Sequence, residues 1–130
     1  MDAMQYNGLA LAYIGDTCYE VRIRNYVLSL GFTKVNDLHK HATKYTSGKA
    51  QSYVMHHLID NNLLSETEID MFKRGRNSSV AKIRKNISRS EYLEGTGFES
   101  LIGYLYLSNQ LDRMNQIIDF AIDLINKKED

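Results

Sequence analysis

The sequence predicts an all-α fold, on three observations. The 130 residues include no proline, so nothing forces a helix to break. Apolar residues recur at spacings of three and four, the period of one buried helix face. The glycines fall mostly between the periodic segments, where they act as stops and turns. A first helix is expected from about Asn7, a good N-cap, to Leu30, with Gly31 as a left-handed stop. A short second helix follows Asn36 and carries "DLHKHATKY". A third runs from about Ser47 to Asp60 and ends at "NN". The "SETE" of Ser65 to Glu68 is a capping box that opens a fourth, which ends in a basic loop. A fifth covers "EYLEGTGFESLIGYLYL", with Gly95 to Gly97 as a candidate break, and a last one spans about Leu111 to Asn126. Internal repeats and low-complexity tracts are absent.

The length is that of one ordinary domain, enough to bury a core without staples. A single cysteine, Cys18, excludes an internal disulfide. No run of about 18 apolar residues and no basic-then-apolar leader is present, so the chain reads as soluble, reduced and cytoplasmic, with no membrane role. Sixteen basic and sixteen acidic residues balance, but they are unevenly placed. From Met71 to Ser90 there are seven Lys or Arg and no acid, whereas Glu91 to Asp130 holds eight acids and three bases. A basic patch is thus carried on a neutral-to-acidic body.

The stretch "LALAYIGDTCYEV", Leu9 to Val21, places Gly15 and Asp16 in the middle of a helix. Against Ala, Gly costs roughly 1 kcal/mol there and Asp roughly 0.5 kcal/mol, and a carboxylate among apolar neighbours adds a desolvation penalty. A buried Asp paired with an Arg or a backbone donor would explain an isolated case. Glu99 has the same character, however: "GFESLIGYLYL" surrounds it with Phe98, Leu101, Ile102 and Leu105, with Gly103 one turn on. If the two helices pack together, two carboxylates converge with no equally placed base. Like charges at close range need a proton or a cation between them. Hard oxygen ligands with room for water suit Mg²⁺, and Mg²⁺ beside a basic loop suits phosphodiester hydrolysis.

Arg74, Arg76, Lys82, Arg84, Lys85 and Arg89 could neutralise phosphates, and "RGRN" adds the Asn77 amide. Such a run is as often merely solvated charge, and it gains meaning only beside the paired acids. Lys49 in "SGKAQ" sits near a helix start and could contact a phosphate, though a solvated Lys is the simpler reading. Glu20, one turn after Asp16, is either a supporting acid or a partner for Arg24 at i+4. The histidines make no site, since His39 and His41 are two apart and His56 and His57 are adjacent. Cys18 has no base nearby in sequence and reads as core. Tyr13, Tyr19, Tyr92, Tyr104 and Tyr106 read as core or dimer surface.

"LALAYIGD", "KRGRN" and "FESLIGYLYL", in this order, resemble the catalytic domain of ribonuclease III, and specifically its compact Mini-III subfamily. The family's Leu-Gly-Asp stands as Ile14, Gly15 and Asp16, and its Glu-Ala-Leu-Ile-Gly as Glu99, Ser100, Leu101, Ile102 and Gly103. The likeness runs over about residues 7 to 126. It implies one catalytic domain over 1–130 without a separate RNA-binding domain, built from about six to seven helices and acting as a homodimer. It further implies Mg²⁺ at Asp16 and Glu99 as the catalytic and metal-binding residues, and cleavage of double-stranded RNA to 5′-phosphate and 3′-hydroxyl ends. Arg74, Arg76, Asn77, Lys82, Lys85 and Lys49 would bind the RNA. The subfamily's usual role implies maturation of the large-subunit (23S) ribosomal RNA precursor, with a large-subunit ribosomal protein as an assisting partner.

The chain departs from the larger relatives in carrying Ala12 and Leu9 where they have acids before the signature Asp, and Thr96 where they have one before the second Glu. Fewer ligands imply weaker metal binding; two tight Mg²⁺ sites per free chain would contradict this. Two rivals stay open at this point. One is a catalytically silent duplex-RNA-binding scaffold of the same fold; the other is a helical protein-interaction module with no RNA role.

Overall fold

The computed structural model describes residues 1–78 and 88–128. Among the described residues a single-turn 3-10 helix at Ala3–Gln5 precedes six α-helices: α1 Gly8–Ser29, α2 Val35–Thr46, α3 Gly48–Asp60, α4 Glu66–Arg76, α5 Arg89–Leu107 and α6 Leu111–Lys128. No strand occurs among the described residues.

Most helix ends follow the expected local chemistry. The Asn7 side chain accepts from the Ala10 amide at 2.8 Å, which starts α1, and Gly31 after its end has φ +99°. Ser47 caps α3, and Ser65 and Glu68 form the reciprocal box that opens α4. Two further boxes carry the same sequence signature. Asp2 with Gln5 opens the 3-10 turn, and Ser88 with Glu91 opens α5. α2 starts at Val35, slightly earlier than expected, behind Lys34, which makes no side-chain cap.

The candidate break in the fifth helix does not exist, since α5 is continuous through Gly95 and Gly97. Those glycines serve packing instead. A Cβ on Gly97 would stand 2.6 Å from the Phe72 ring and 2.7 Å from the Phe72 carbonyl oxygen, so α4 can lie against α5 only where that side chain is missing.

α5 is the central helix, packed against α1, α4 and α3, while α6 closes the outer side against α5, α3 and α2. Its middle is buried all round, from Phe98 through Leu101, Ile102 and Leu105. Tyr19 of α1 meets Phe98 edge to face at 5.0 Å, and its hydroxyl donates to the Tyr45 carbonyl at 2.9 Å. Side chains of this size contribute about 1.5–3 kcal/mol each when fully buried. The α1–α5 contact is thus a well-buried part of the core, and Asp16 and Glu99 lie beside it.

Candidate active site

α1 and α5 cross backbone to backbone. A Cβ on Gly15 would lie 1.8 Å from the Glu99 carbonyl oxygen, and one on Gly103 would lie 1.9 Å from the Leu11 carbonyl oxygen. Each glycine therefore admits the other helix's main chain, and no other residue fits either place. The helix-propensity cost of about 1 kcal/mol per glycine is offset by this close approach. Asp16 follows Gly15, and Glu99 supplies the carbonyl that Gly15 touches, so the crossing itself sets the two acids side by side.

The two carboxyl groups lie close enough for Asp16 to act on Glu99. Burial first, and then the hydrogen bond and charge of Asp16, push the Glu99 carboxyl up to about 9. A lesser push comes from Glu20, while the Gln51 amide acts the other way. The Glu99 carboxyl therefore holds its proton at neutral pH. Asp16 is not desolvated as its sequence neighbours suggested. It is exposed, whereas Glu99 lies mostly inside. The reason is the direction of α1: Gly15 faces α5, and the next residue turns toward solvent beside Tyr13, which is 82% exposed.

Among the described residues no group of three or more His, Cys, Asp or Glu is arranged to hold a metal. Two carboxyl groups set side by side by the helix crossing fit a hard divalent ion that takes one or two carboxylates and completes its shell with water and phosphate oxygens. Glu20 is taken up by Arg24 at 2.9 Å, the i+4 partnership that the sequence left open.

Gln51 of α3 was not singled out from sequence. Its Nε2 donates to Glu99 Oε2 at 3.4 Å. The signal was present, because Gln51 shares a helical stripe with Val54, Met55 and Leu58 and is itself buried. A polar residue on an apolar stripe calls for a partner.

Of the expected RNA-binding residues, Arg74 and Arg76 lie on α4, Asn77 at its end and Lys49 on α3. The Arg74 guanidinium donates to the carbonyls of Met4 at 2.5 Å and Tyr6 at 2.9 Å, tying the N-terminal turn to α4. Arg76 lies over the Phe72 ring at 5.4 Å and donates to the Asn77 side chain at 3.1 Å. Lys49 is exposed in the first turn of α3, on a cleft of about 520 Å³ also lined by Lys44, Ser47, Tyr53 and Lys128. Lys82 and Lys85, with Arg84, lie outside the described residues. His56 pairs with Glu94 at 2.9 Å, and Cys18 is buried with its thiol pushed up by that burial.

A family model for the ribonuclease III domain matches residues 9–110. The Mini-ribonuclease 3 of Enterococcus faecalis is 46% identical over 126 residues, which cover 97% of this chain and 96% of that protein. That of Symbiobacterium thermophilum is 42% identical over 119 residues, 92% of this chain and 90% of its own. A crystal structure of a Fusobacterium nucleatum protein superposes with a TM-score of 0.84 at 31% identity, covering 94% of this chain and 96% of that one. With the glycine crossing, the two acids and these matches in agreement, the chain belongs to the ribonuclease III family, alongside the Mini-ribonuclease 3 proteins.

Proposed function

We propose that this ribonuclease III-family endoribonuclease cuts double-stranded RNA with Mg²⁺ held by Asp16 and Glu99, leaving 5′-phosphate and 3′-hydroxyl ends. The observation that carries the reading is the acid pair itself. Two carboxyl groups pressed together at a glycine crossing, one of them pushed up to about 9, make a poor structural contact and a good cation site. When bound, the ion supplies an activated water and neutralises charge that builds on the scissile phosphate.

The chain's own residues supply position. Glu99 is anchored inside and Asp16 reaches solvent, so the pair offers its oxygens where a duplex can approach. The well-buried α1–α5 contact keeps the acids from drifting apart, which matters because small misplacements are expensive in rate. Arg76, Asn77 and Lys49, with Lys82 and Lys85 of the basic segment, dock phosphates of the duplex. Arg74 contributes by holding the N-terminal turn against α4.

Cutting both strands of a duplex requires two sites related by a two-fold axis, which a homodimer provides. α1 carries apolar residues outward as well as inward: Leu9, Tyr13, Val21 and Leu28 are exposed at 46%, 82%, 54% and 53%. Such a helix suits a second copy of the chain. The biological substrate we assign is the 23S ribosomal RNA precursor, processed in the cytoplasm with a large-subunit ribosomal protein assisting; among the described residues no helix is long and apolar enough to cross a membrane.

The test is a long perfect RNA duplex incubated with and without Mg²⁺. Wild type should cut it only with the ion and leave 5′-phosphate ends, while Asp16→Asn and Glu99→Gln should lose cleavage and keep salt-sensitive binding. Binding without Mg²⁺-dependent cutting by the wild type would establish the scaffold reading instead.

A further inference from the structure

Gln51 is only 3% exposed, on the face of α3 that buries Val54, Met55 and Leu58. Its amide is held between two features of α5. Nε2 donates to Glu99 Oε2 at 3.4 Å. The opposite end occupies the room left by Gly95, where a Cβ would stand 3.0 Å from Gln51 Oε1 and 3.2 Å from the Gly48 Cα. A side chain at position 95 would crowd this slot, and with Oε1 seated in it the donor end faces the acid.

Resting on the cation site proposed above, we infer that Gln51 is a positioning residue that holds the Glu99 carboxyl in the orientation required to bind the divalent ion with Asp16. The chemistry of the donor suits the task. A Lys or Arg in that slot would pair with Glu99 and compete with the ion, whereas a neutral amide restrains the carboxyl and leaves its charge available. Orientation also counts for more in a site with two acids than in one with several, because no other protein ligand compensates when one rotates away.

The experiment is calorimetric titration of the free protein with Mn²⁺ and Mg²⁺, run beside cleavage of a duplex over a range of Mg²⁺ concentrations. Gln51→Met keeps length and loses the donor; Gln51→Asn keeps the amide and withdraws it by one methylene. Both should weaken ion binding about tenfold or more, the usual scale for a group supporting a metal ligand. The Mg²⁺ needed for half-maximal cleavage should rise in parallel, with duplex affinity in EDTA unchanged. If Gln51→Met does not fold, as judged by its urea transition, Gln51→Asn carries the comparison. Slower cleavage at an unchanged Mg²⁺ requirement, or no change in either variant, overturns the inference. Glu99→Gln separates the two levels of the argument. If it binds the ion as tightly as wild type, the cation site itself is wrong; if it loses the ion while both Gln51 variants keep it, only the role of Gln51 fails.

Discussion

Glu99 is the residue at which function and stability oppose each other. Its carboxyl is raised to about 9 in the folded chain, against an ordinary value of 4.5. For a group raised in this way, stability is fully present below the unfolded value and is lost as pH rises toward the folded one. In EDTA the melting temperature should therefore fall as pH is increased from about 5 to about 9, and Mg²⁺ should restore it at the upper end. Glu99→Gln should flatten that dependence and be more stable than wild type in EDTA at about pH 8, which scanning calorimetry can read; a variant as pH-sensitive as wild type would place the effect elsewhere. Glu68 behaves in the opposite sense. Arg113 engages both its oxygens, at 2.8 and 2.9 Å, and holds its carboxyl below the usual range despite burial. The stability it contributes is present above that range and is lost on acidification. Glu68→Ala, which also removes half of the α4 capping box, should cost about 2 kcal/mol at neutral pH by urea unfolding and much less near pH 3. Both acids of the proposed cation site could be picked out in the sequence, because a carboxylate near a glycine in an apolar helix is locally anomalous. That the burial would fall on Glu99 and spare Asp16 could not, since it depends on which way each helix is turned.

At the scale of helices, the α1–α5 crossing makes a sharp prediction. Gly15→Ala raises helix propensity by about 1 kcal/mol, yet its methyl would lie 1.8 Å from the Glu99 carbonyl oxygen. The helices must separate, so stability should fall despite the better propensity, and cleavage should fall further because the acids part. Gly31→Ala is the control. It meets nothing within 4 Å, and its penalty comes from φ +99°, about 1 kcal/mol, with activity spared. Equal losses of activity in the two variants would refute the crossing as the device that aligns the acids. The helix ends were readable because a cap is a contact over three residues, as Asn7 with Ala10 shows. Gly95 and Gly97 make a candidate break in the sequence and none in the structure, because a glycine that relieves strain and one that admits a neighbouring helix look alike in a single chain. Phe72, which fills the space at Gly97, comes from a different helix.

For the molecule as a whole, the proposed homodimer would use the outward apolar face of α1 and so join assembly to catalysis. Tyr13 is 82% exposed and lies one turn from Asp16 on the same helix. Tyr13→Asp should leave the fold intact, since nothing inside depends on it, and shift the protein toward monomer in light scattering. Its duplex products should then be enriched in nicks over double cuts; a variant that remains dimeric and cuts both strands would remove α1 from the interface. Periodicity, caps and the absence of proline settled from local chemistry that the chain is helical and roughly where each helix starts and stops, because those effects act between residues a turn apart. The seating of Asp16 against Glu99, the Gln51 contact and the use of Arg74 as a tether for the N-terminal turn were decided only when the helices packed. Each joins side chains or carbonyls from separate elements, and their meeting is governed by backbone approach distances that no local pattern encodes.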